Sequence, residues 1–306
     1  MTQVLAIFGP TACGKTAVAE AIADRIPADL VSADSAQVYR GLPILTNQSR
    51  RPARLVAIWE LDHEASLAQF QTLAHGAIDE ILAAGRTPVV VGGTGLYFRA
   101  ALAELEVPPE PARGARERWE RVYERVGGHE AHRLLGERDP SAAAAIHPND
   151  RRRVVRALEL ADAGASLRPT TDRLWSEHTR WPTLIIGLDM PHPVLDSRIE
   201  ERTRAMFDAG VAEEVRRALE RPISRTARHV MGLEEVAGLR REDAITALAQ
   251  RTRQLAAYQR KWMRRLQGVV SVSADRPAVE VADEILTLAR ARQRVLAGRT
   301  GQPAGR

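Results

Sequence analysis

Gly9, Gly14, Lys15 and Thr16 stand at the spacing GxxxxGK[ST] within GPTACGKT, residues 9–16. These residue types at this spacing bind a pyrophosphate-like group. The backbone of Gly9, Pro10, Thr11, Ala12, Cys13 and Gly14 can wrap phosphate oxygens, Lys15 reaches a terminal phosphate, and the Thr16 hydroxyl can hold Mg²⁺. A helix opening here adds the positive end of its dipole. Cys13, the single cysteine, reads as a small filler within the loop in preference to a catalytic thiol. The loop does not say whose pyrophosphate it holds.

Other clusters narrow the chemistry. SADSAQVYRG, residues 32–41, offers Asp34, Ser35 and Gln37. Asp34 beside a bound pyrophosphate could hold Mg²⁺ through water, take a proton from a nucleophile, or simply cap the next turn. Gln37 carries the donor and acceptor pair that reads an adenine edge. GGTGLY, residues 92–97, offers Thr94 between glycines, with Tyr97 three positions on. A kinase would place an acidic residue at the end of this strand to hold Mg²⁺, and VVVGG offers none. That argues against γ-phosphate chemistry. Two basic clusters remain. HPNDRRRVVR carries Arg151, Arg152, Arg153 and Arg156, with Val154, Val155 and Leu158 free to face inward. RTRQLAAYQRKWMRR, residues 251–265, surrounds Tyr258 and Trp262 with Arg260, Lys261, Arg264 and Arg265. A helix packed on one side and positive on the other suits a phosphate backbone; a solvated charged face is the plain alternative. Tyr258 and Trp262, four apart, suit a core-facing stripe. The histidines show no metal-ligand spacing.

Strands are expected at Val4–Phe8, Asp29–Ser32, Pro88–Val91, Thr183–Leu188 and Val269–Val272. Helices are expected at Thr16–Arg25, Leu67–Ala84, Pro193–Glu220 and Arg241–Leu266. Strand, glycine loop and helix, then alternating elements, imply an α/β three-layer core with a parallel sheet, and the polar clusters fall beyond strand C-terminal ends. Residues 1–105 and 181–295 form this P-loop core in two parts. Residues 106–180 open on a proline-rich stretch and read as a mostly helical insertion domain, and 296–306 as a disordered tail. The 306 residues suffice for such a core, with 44% hydrophobic residues and a formal charge of +5. Only Lys15 and Lys261 are lysines, so the basic charge is almost all arginine. Arginine suits phosphates and bases, although a GC-rich genome produces the same bias. No apolar run is long enough for a membrane span. The start lacks a leader pattern, and one cysteine permits no internal disulfide, so a cytoplasmic protein is expected.

GPTACGKT, DSAQVYRG, GGTGLY, DPSAAAAIHPNDRRRVVRALEL and RTRQLAAYQRKW, in that order, resemble the tRNA dimethylallyltransferases, also called tRNA isopentenylpyrophosphate transferases. The likeness runs from about residue 3 to residue 266. The resemblance implies transfer of a dimethylallyl group from dimethylallyl diphosphate to N6 of adenosine 37 of tRNA. It implies Mg²⁺ as cofactor, the anticodon stem-loop as partner, and a helical insertion that grips it. It puts the diphosphate on Gly9–Thr16, with Lys15 and Thr94 in catalytic roles and Asp34 of DSAQ as general base. Asp34, Ser35, Ala36, Gln37 and Thr94 would meet the RNA, as would Arg151, Arg152, Arg153, Arg156, Arg228 of RHVMGL, Arg260 and Lys261. A monomer is expected.

The chain departs from the family pattern in places. After YRG the usual glycine–threonine–alanine–lysine–proline segment reads LPILTNQSR, and IWELDHE leaves His63 without a second histidine. A glycine–tyrosine–basic run reads GLEE at 232–235, and alanine–lysine–arginine–glutamine reads AAYQ at 256–259. Three rivals predict different behaviour. A nucleotide kinase or ATPase would turn over ATP. An RNA-binding protein with a vestigial loop would bind RNA and consume no donor. An adenylate isopentenyltransferase would accept free AMP and need no basic insertion.

Overall fold

The computed structural model describes residues 4–300 apart from 110, 111, 113, 169, 170 and 172, with side chains placed through 294. Six strands form one all-parallel sheet: β1 (Val4–Phe8), β2 (Ala28–Ser32), β3 (Ala53–Arg54), β4 (Thr87–Gly92), β5 (Thr183–Asp189) and β6 (Val269–Ser273), in the order β3-β2-β4-β1-β5-β6. Central β1 pairs with β4 and β5, Leu5 opposite Val89 and Leu184. All five residues of β1 are buried. That matches a strand covered on both faces, where a continuous apolar run replaces alternation.

The period of two sorts the layers. Leu5 and Ile7 join one apolar cluster with Val18 and Ile22 of α1 (Lys15–Ala23), Leu195 and Ile199 of α8 (His192–Asp208), and Val281 and Ile285 of α12 (Ala278–Thr300). Phe8 instead meets Phe98 of α3 (Gly95–Leu102), ring centres 5.0 Å apart. On α3, Tyr97 packs on Phe70 of α2 (Leu67–Ala83) at 4.4 Å. The result is helix, sheet, helix.

The chain divides into two compact units, residues 1–104 with 174–306, and residues 105–173. The second unit contains α4 (Ala115–Val126), α5 (Gly128–Arg138), α6 (Pro140–Ala145) and α7 (Arg151–Asp162). Trp119, Leu135, Val154, Val155 and Leu158 form its own apolar core. Residues 174–180, read from sequence with the insertion, belong to the first unit. There Trp175 stacks on Trp262, and Arg180 bridges Glu104 and Asp79.

Other differences have local causes. The two-residue β3 lies below what periodicity can detect. The helical stretch 193–220 breaks at Gly210, φ 92°, which separates α8 from α9 (Val211–Leu219). A short α10 (Leu233–Gly238) precedes the long α11 (Arg241–Arg265). Helix α12 continues to Thr300, so the expected tail begins as helix; 301–306 lie outside the described residues. Among the described residues no helix is long and apolar enough to cross a membrane.

Candidate active site

The phosphate loop turns back on itself between β1 and α1. Ala12 at φ 66° and Gly14 at φ 94° both occupy the left-handed region, a costly conformation for alanine that orients successive N–H groups inward. No side chain caps the start of α1, leaving its first N–H groups open to an anion. Lys15 Nζ donates to Pro10 O at 2.7 Å, the loop's own carbonyl. Desolvation pushes the Lys15 ammonium below its usual range. Cys13 is buried, and desolvation raises its thiol pKa. A Cβ on Gly9 would lie 2.9 Å from Cys13 Sγ, so the cysteine side chain packs directly against that glycine.

Three arginines converge on this loop. Arg202 of α8 donates through Nη2 to Thr11 Oγ1 at 2.8 Å, and desolvation lowers its pKa. Arg198, one turn earlier, approaches within 3.7 Å of the position a Gly14 Cβ would take. Arg260 of α11, expected at the RNA surface, is only 11% exposed; it donates to Met190 O, with Asp189 3.7 Å away. Arg198 and Arg202 were not singled out from sequence. Their spacing of four puts them on one helical face, but nothing local links that face to a loop near the N-terminus.

At the end of β2, Asp34 Oδ1 accepts from Ala36 N at 2.9 Å, the turn-capping role that the sequence left open. Its other oxygen has no hydrogen-bond donor among the described residues. Asp34 lines one recess with Lys15 and Thr16, between apolar walls from Ala19, Leu30, Val31, Val56 and Val91. Thr94 Oγ1 lies 3.4 Å from both the N and the Oγ of Ser35, so the GGTG and DSAQ segments meet. Thr94 precedes α3 without capping it, and its hydroxyl is turned to that neighbour.

Gln37 has another use. Ser32 Oγ donates to its Oε1 at 2.8 Å, and its Nε2 donates to Thr46 O at 3.1 Å and Asn47 O at 3.2 Å. Its Nε2 holds the following loop and its oxygen is taken by Ser32 of β2, so reading an adenine edge would require one of these bonds to be exchanged. Tyr97 is pushed up to about 12, mainly by burial, with Tyr39 and Asp34 adding to the shift, so its phenol stays protonated.

Helix α11 holds the segments together. Gln259 Oε1 accepts from Thr11 N at 2.6 Å, and a Cβ on Gly93 would lie 2.4 Å from Gln259 Nε2. A Cβ on Gly95 would lie 2.1 Å from Trp262. Glycines at 93 and 95 are therefore required for close approach of this helix. Tyr258, expected in a core-facing stripe, is 57% exposed, although it still meets Trp262 edge-on at 6.4 Å.

In the second unit Arg151 pairs with Glu124 at 2.6 Å, and Arg153 with Asp150 at 3.4 Å. Arg156 departs from the expected surface role: it pairs with the fully buried Glu159 at 3.0 Å and donates to Pro109 O at 2.7 Å. Arg152 is exposed, without an ion pair among the described residues. In the first unit Arg228 and Lys261 are also exposed. Among the described residues no group of three or more His, Cys, Asp or Glu could hold a metal ion. The Thr16 hydroxyl, in the same recess as Lys15 and Asp34, is the one hydroxyl oxygen of the phosphate loop's helix start that fits a Mg²⁺ bound mainly through substrate phosphates.

The IPP transferase family model matches residues 37–266, and the isopentenyl transferase model residues 2–54. A tRNA dimethylallyltransferase of Thermobifida fusca (strain YX) is 40% identical over 284 residues, spanning 87% of this chain and 88% of that one. The chain belongs to the tRNA dimethylallyltransferase family. A tRNA dimethylallyltransferase of Exiguobacterium sp. is 39% identical over 294 residues, covering 92% of this chain and 93% of its own. The crystal structure of the tRNA isopentenylpyrophosphate transferase of Bacillus halodurans superimposes with a TM-score of 0.68 at 30% identity, covering 97% of this chain and 100% of that one. As a tRNA dimethylallyltransferase family member, the chain is an enzyme of prenyl transfer to tRNA.

Proposed function

We propose that this enzyme joins the dimethylallyl group of dimethylallyl diphosphate to N6 of adenosine 37 in the tRNA anticodon loop, with Asp34 as general base. One observation carries the reading: Asp34, with one carboxylate oxygen unengaged, shares a recess with Lys15 and Thr16. A proton acceptor and a pyrophosphate cradle on one recess suit displacement of a diphosphate by a weakly acidic N–H nucleophile. The apolar walls around them suit a small hydrocarbon.

The bond from the allylic carbon to the bridging oxygen breaks as the bond from N6 to that carbon forms. Negative charge grows on the bridging oxygen, where the loop N–H groups and Lys15 stabilise it and Arg202 stands close by. Asp34 takes the N6 proton, and diphosphate leaves. A neutral exocyclic amine is a poor nucleophile, so alignment counts as much as basicity. Thr94 and Ser35 would fix the adenine against the donor, and the apolar walls would keep water from the allylic carbon. Thr16 would hold Mg²⁺, whose charge would further neutralise the leaving group. Arg152, Arg228 and Lys261 are the exposed cations best suited to RNA phosphates, and the single recess requires no second subunit.

The test is label transfer from radiolabelled dimethylallyl diphosphate, with Mg²⁺, to an unmodified anticodon stem-loop, with AMP and ATP in parallel. Label on the RNA alone, lost in Asp34→Ala, is the expected result; a general base contributes about 10²–10⁴-fold. Transfer to AMP instead of RNA, or full activity without Asp34, overturns the reading.

A further inference from the structure

We propose that the exposed Tyr258 face of α11 is a stacking platform for an unpaired nucleobase of the RNA, next to the acceptor. The proposal rests on the reading that an RNA loop is the acceptor, and it adds a residue and a contact that this reading does not contain.

The observation is a pre-assembled ladder of flat groups. The Arg265 guanidinium lies 3.7 Å from the centre of the Trp175 ring. Trp175 packs on Trp262 with ring centres 4.6 Å apart and planes at 39°. Trp262 meets Tyr258 at 6.4 Å and 71°. The ladder is closed by a guanidinium at one end. At the other it ends on a tyrosine that is 57% exposed, whose hydroxyl has no hydrogen-bond partner among the described residues.

Burial does not explain Tyr258. A tyrosine kept for packing would hide its ring, and a spacer in water gains nothing from an aromatic side chain. The surroundings specify the partner. Lys261, three residues on and so on the same side of α11, is exposed and has no carboxylate partner among the described residues; Arg264 and Arg265, exposed in the next turn, have none either. An exposed aromatic ring with cations on the same helix suits single-stranded nucleic acid: a base stacks on the ring, and phosphates meet the cations.

The ladder is also tied to the reacting groups. Trp262 leaves no room for a Cβ on Gly95, the residue after Thr94. Gln259, next to Tyr258 in sequence, holds Thr11 of the phosphate loop. A base on Tyr258 is thus positioned against the same helix that fixes both halves of the site.

Binding of a labelled anticodon stem-loop by fluorescence anisotropy, comparing Tyr258→Ala, Tyr258→Leu and Tyr258→Phe, tests this. The RNA carries 2-aminopurine at successive loop positions. Removing one base-stacking ring weakens single-strand binding about tenfold or more. Tyr258→Ala and Tyr258→Leu are expected to show that loss, and Tyr258→Phe to bind like the wild type. The slope of log Kd against log salt should stay unchanged, because no phosphate contact is removed. One 2-aminopurine position should be quenched with the wild type and bright with Tyr258→Ala. In turnover, KM for RNA should move and KM for the donor should not. Wild-type affinity in Tyr258→Ala, full recovery by leucine, or a shallower salt slope overturns the platform. If the wild-type enzyme binds no RNA and prenylates AMP, the RNA reading itself fails, and the platform with it.

Discussion

The cations at the phosphate loop and those on α7 live under opposite physical conditions. Lys15 and Arg202 are recessed, have no carboxylate partner among the described residues, and are depressed in pKa by desolvation. Arg151 and Arg153 are exposed and already paired, with Glu124 and Asp150. Asp34 opposes the shift of Lys15 and of Arg202 without forming an ion pair with either, so the desolvation cost is only partly offset until an anion binds. An exposed, screened pair costs little to form and little to exchange for a phosphate. The first arrangement suits an anion held in place, and the second can be exchanged for an outside partner at little cost.

The sharpest attempt to break this contrast is Lys15→Met. Loss of a cation aimed at developing charge costs about 10²–10³-fold in turnover, measured as single-turnover transfer at saturating donor. A loss below threefold would mean that Lys15 serves only its own loop, through Pro10.

Arg202→Met should weaken donor binding about tenfold, the scale of one charge-assisted hydrogen bond. Without donor the variant should melt no lower than the wild type, because replacing a recessed, unpaired cation by an apolar chain removes a desolvation cost. Calorimetric melting with and without diphosphate separates these effects. A lower melting temperature without donor would show that the Thr11 bond outweighs that cost.

The pH dependence follows from the lowered Lys15 pKa. In the window between that lowered value and the free lysine value near 10.5, the unfolded chain binds more protons than the folded one. The desolvation penalty is therefore present in full below the lowered pKa, and stability from this group rises as pH climbs through the window. Diphosphate favours the charged form, so its affinity should fall over the same window, with proton uptake on binding. Titration calorimetry in buffers of different ionisation enthalpy measures that uptake, and Lys15→Met should abolish it.

The smallest effect belongs to α7. Arg152→Ala should weaken RNA binding a few-fold and reduce the salt slope by about one, while stability changes by no more than about 0.5 kcal/mol. A large change in melting temperature would place Arg152 with Arg156, whose partner Glu159 is fully buried, and not with the exposed set.

Much of the site was legible because its parts are local. The phosphate loop needs glycines and a lysine within eight residues, and Asp34 and Thr94 each follow a strand that its own apolar run betrays. The end of a strand in a parallel α/β sheet is where ligands bind, so DSAQ and GGTG could be placed together before their contact was seen. What escaped depends on groups far apart in the chain. The two-residue β3 is too short to carry a period. Gln37 offered a free amide in the sequence, but Ser32 of β2 takes its oxygen and the loop through Asn47 folds back onto its Nε2.

The sequence alone determined the loop, the strand ends, the helical character of the insertion and the kinship with the prenyl-transferring family. Each of these is a run of neighbouring residues with its own backbone preference or motif. Tertiary structure decided which cations serve which anion. Arg202 joins Thr11 across most of the chain length, Arg260 leaves the surface to donate to Met190 O just beyond β5, and Arg156 turns to Glu159. An arginine has the same charge wherever it stands in a sequence. Only the fold sets its burial and its partner, and these decide whether it lies beside the phosphate loop, ties a helix or stays at the surface.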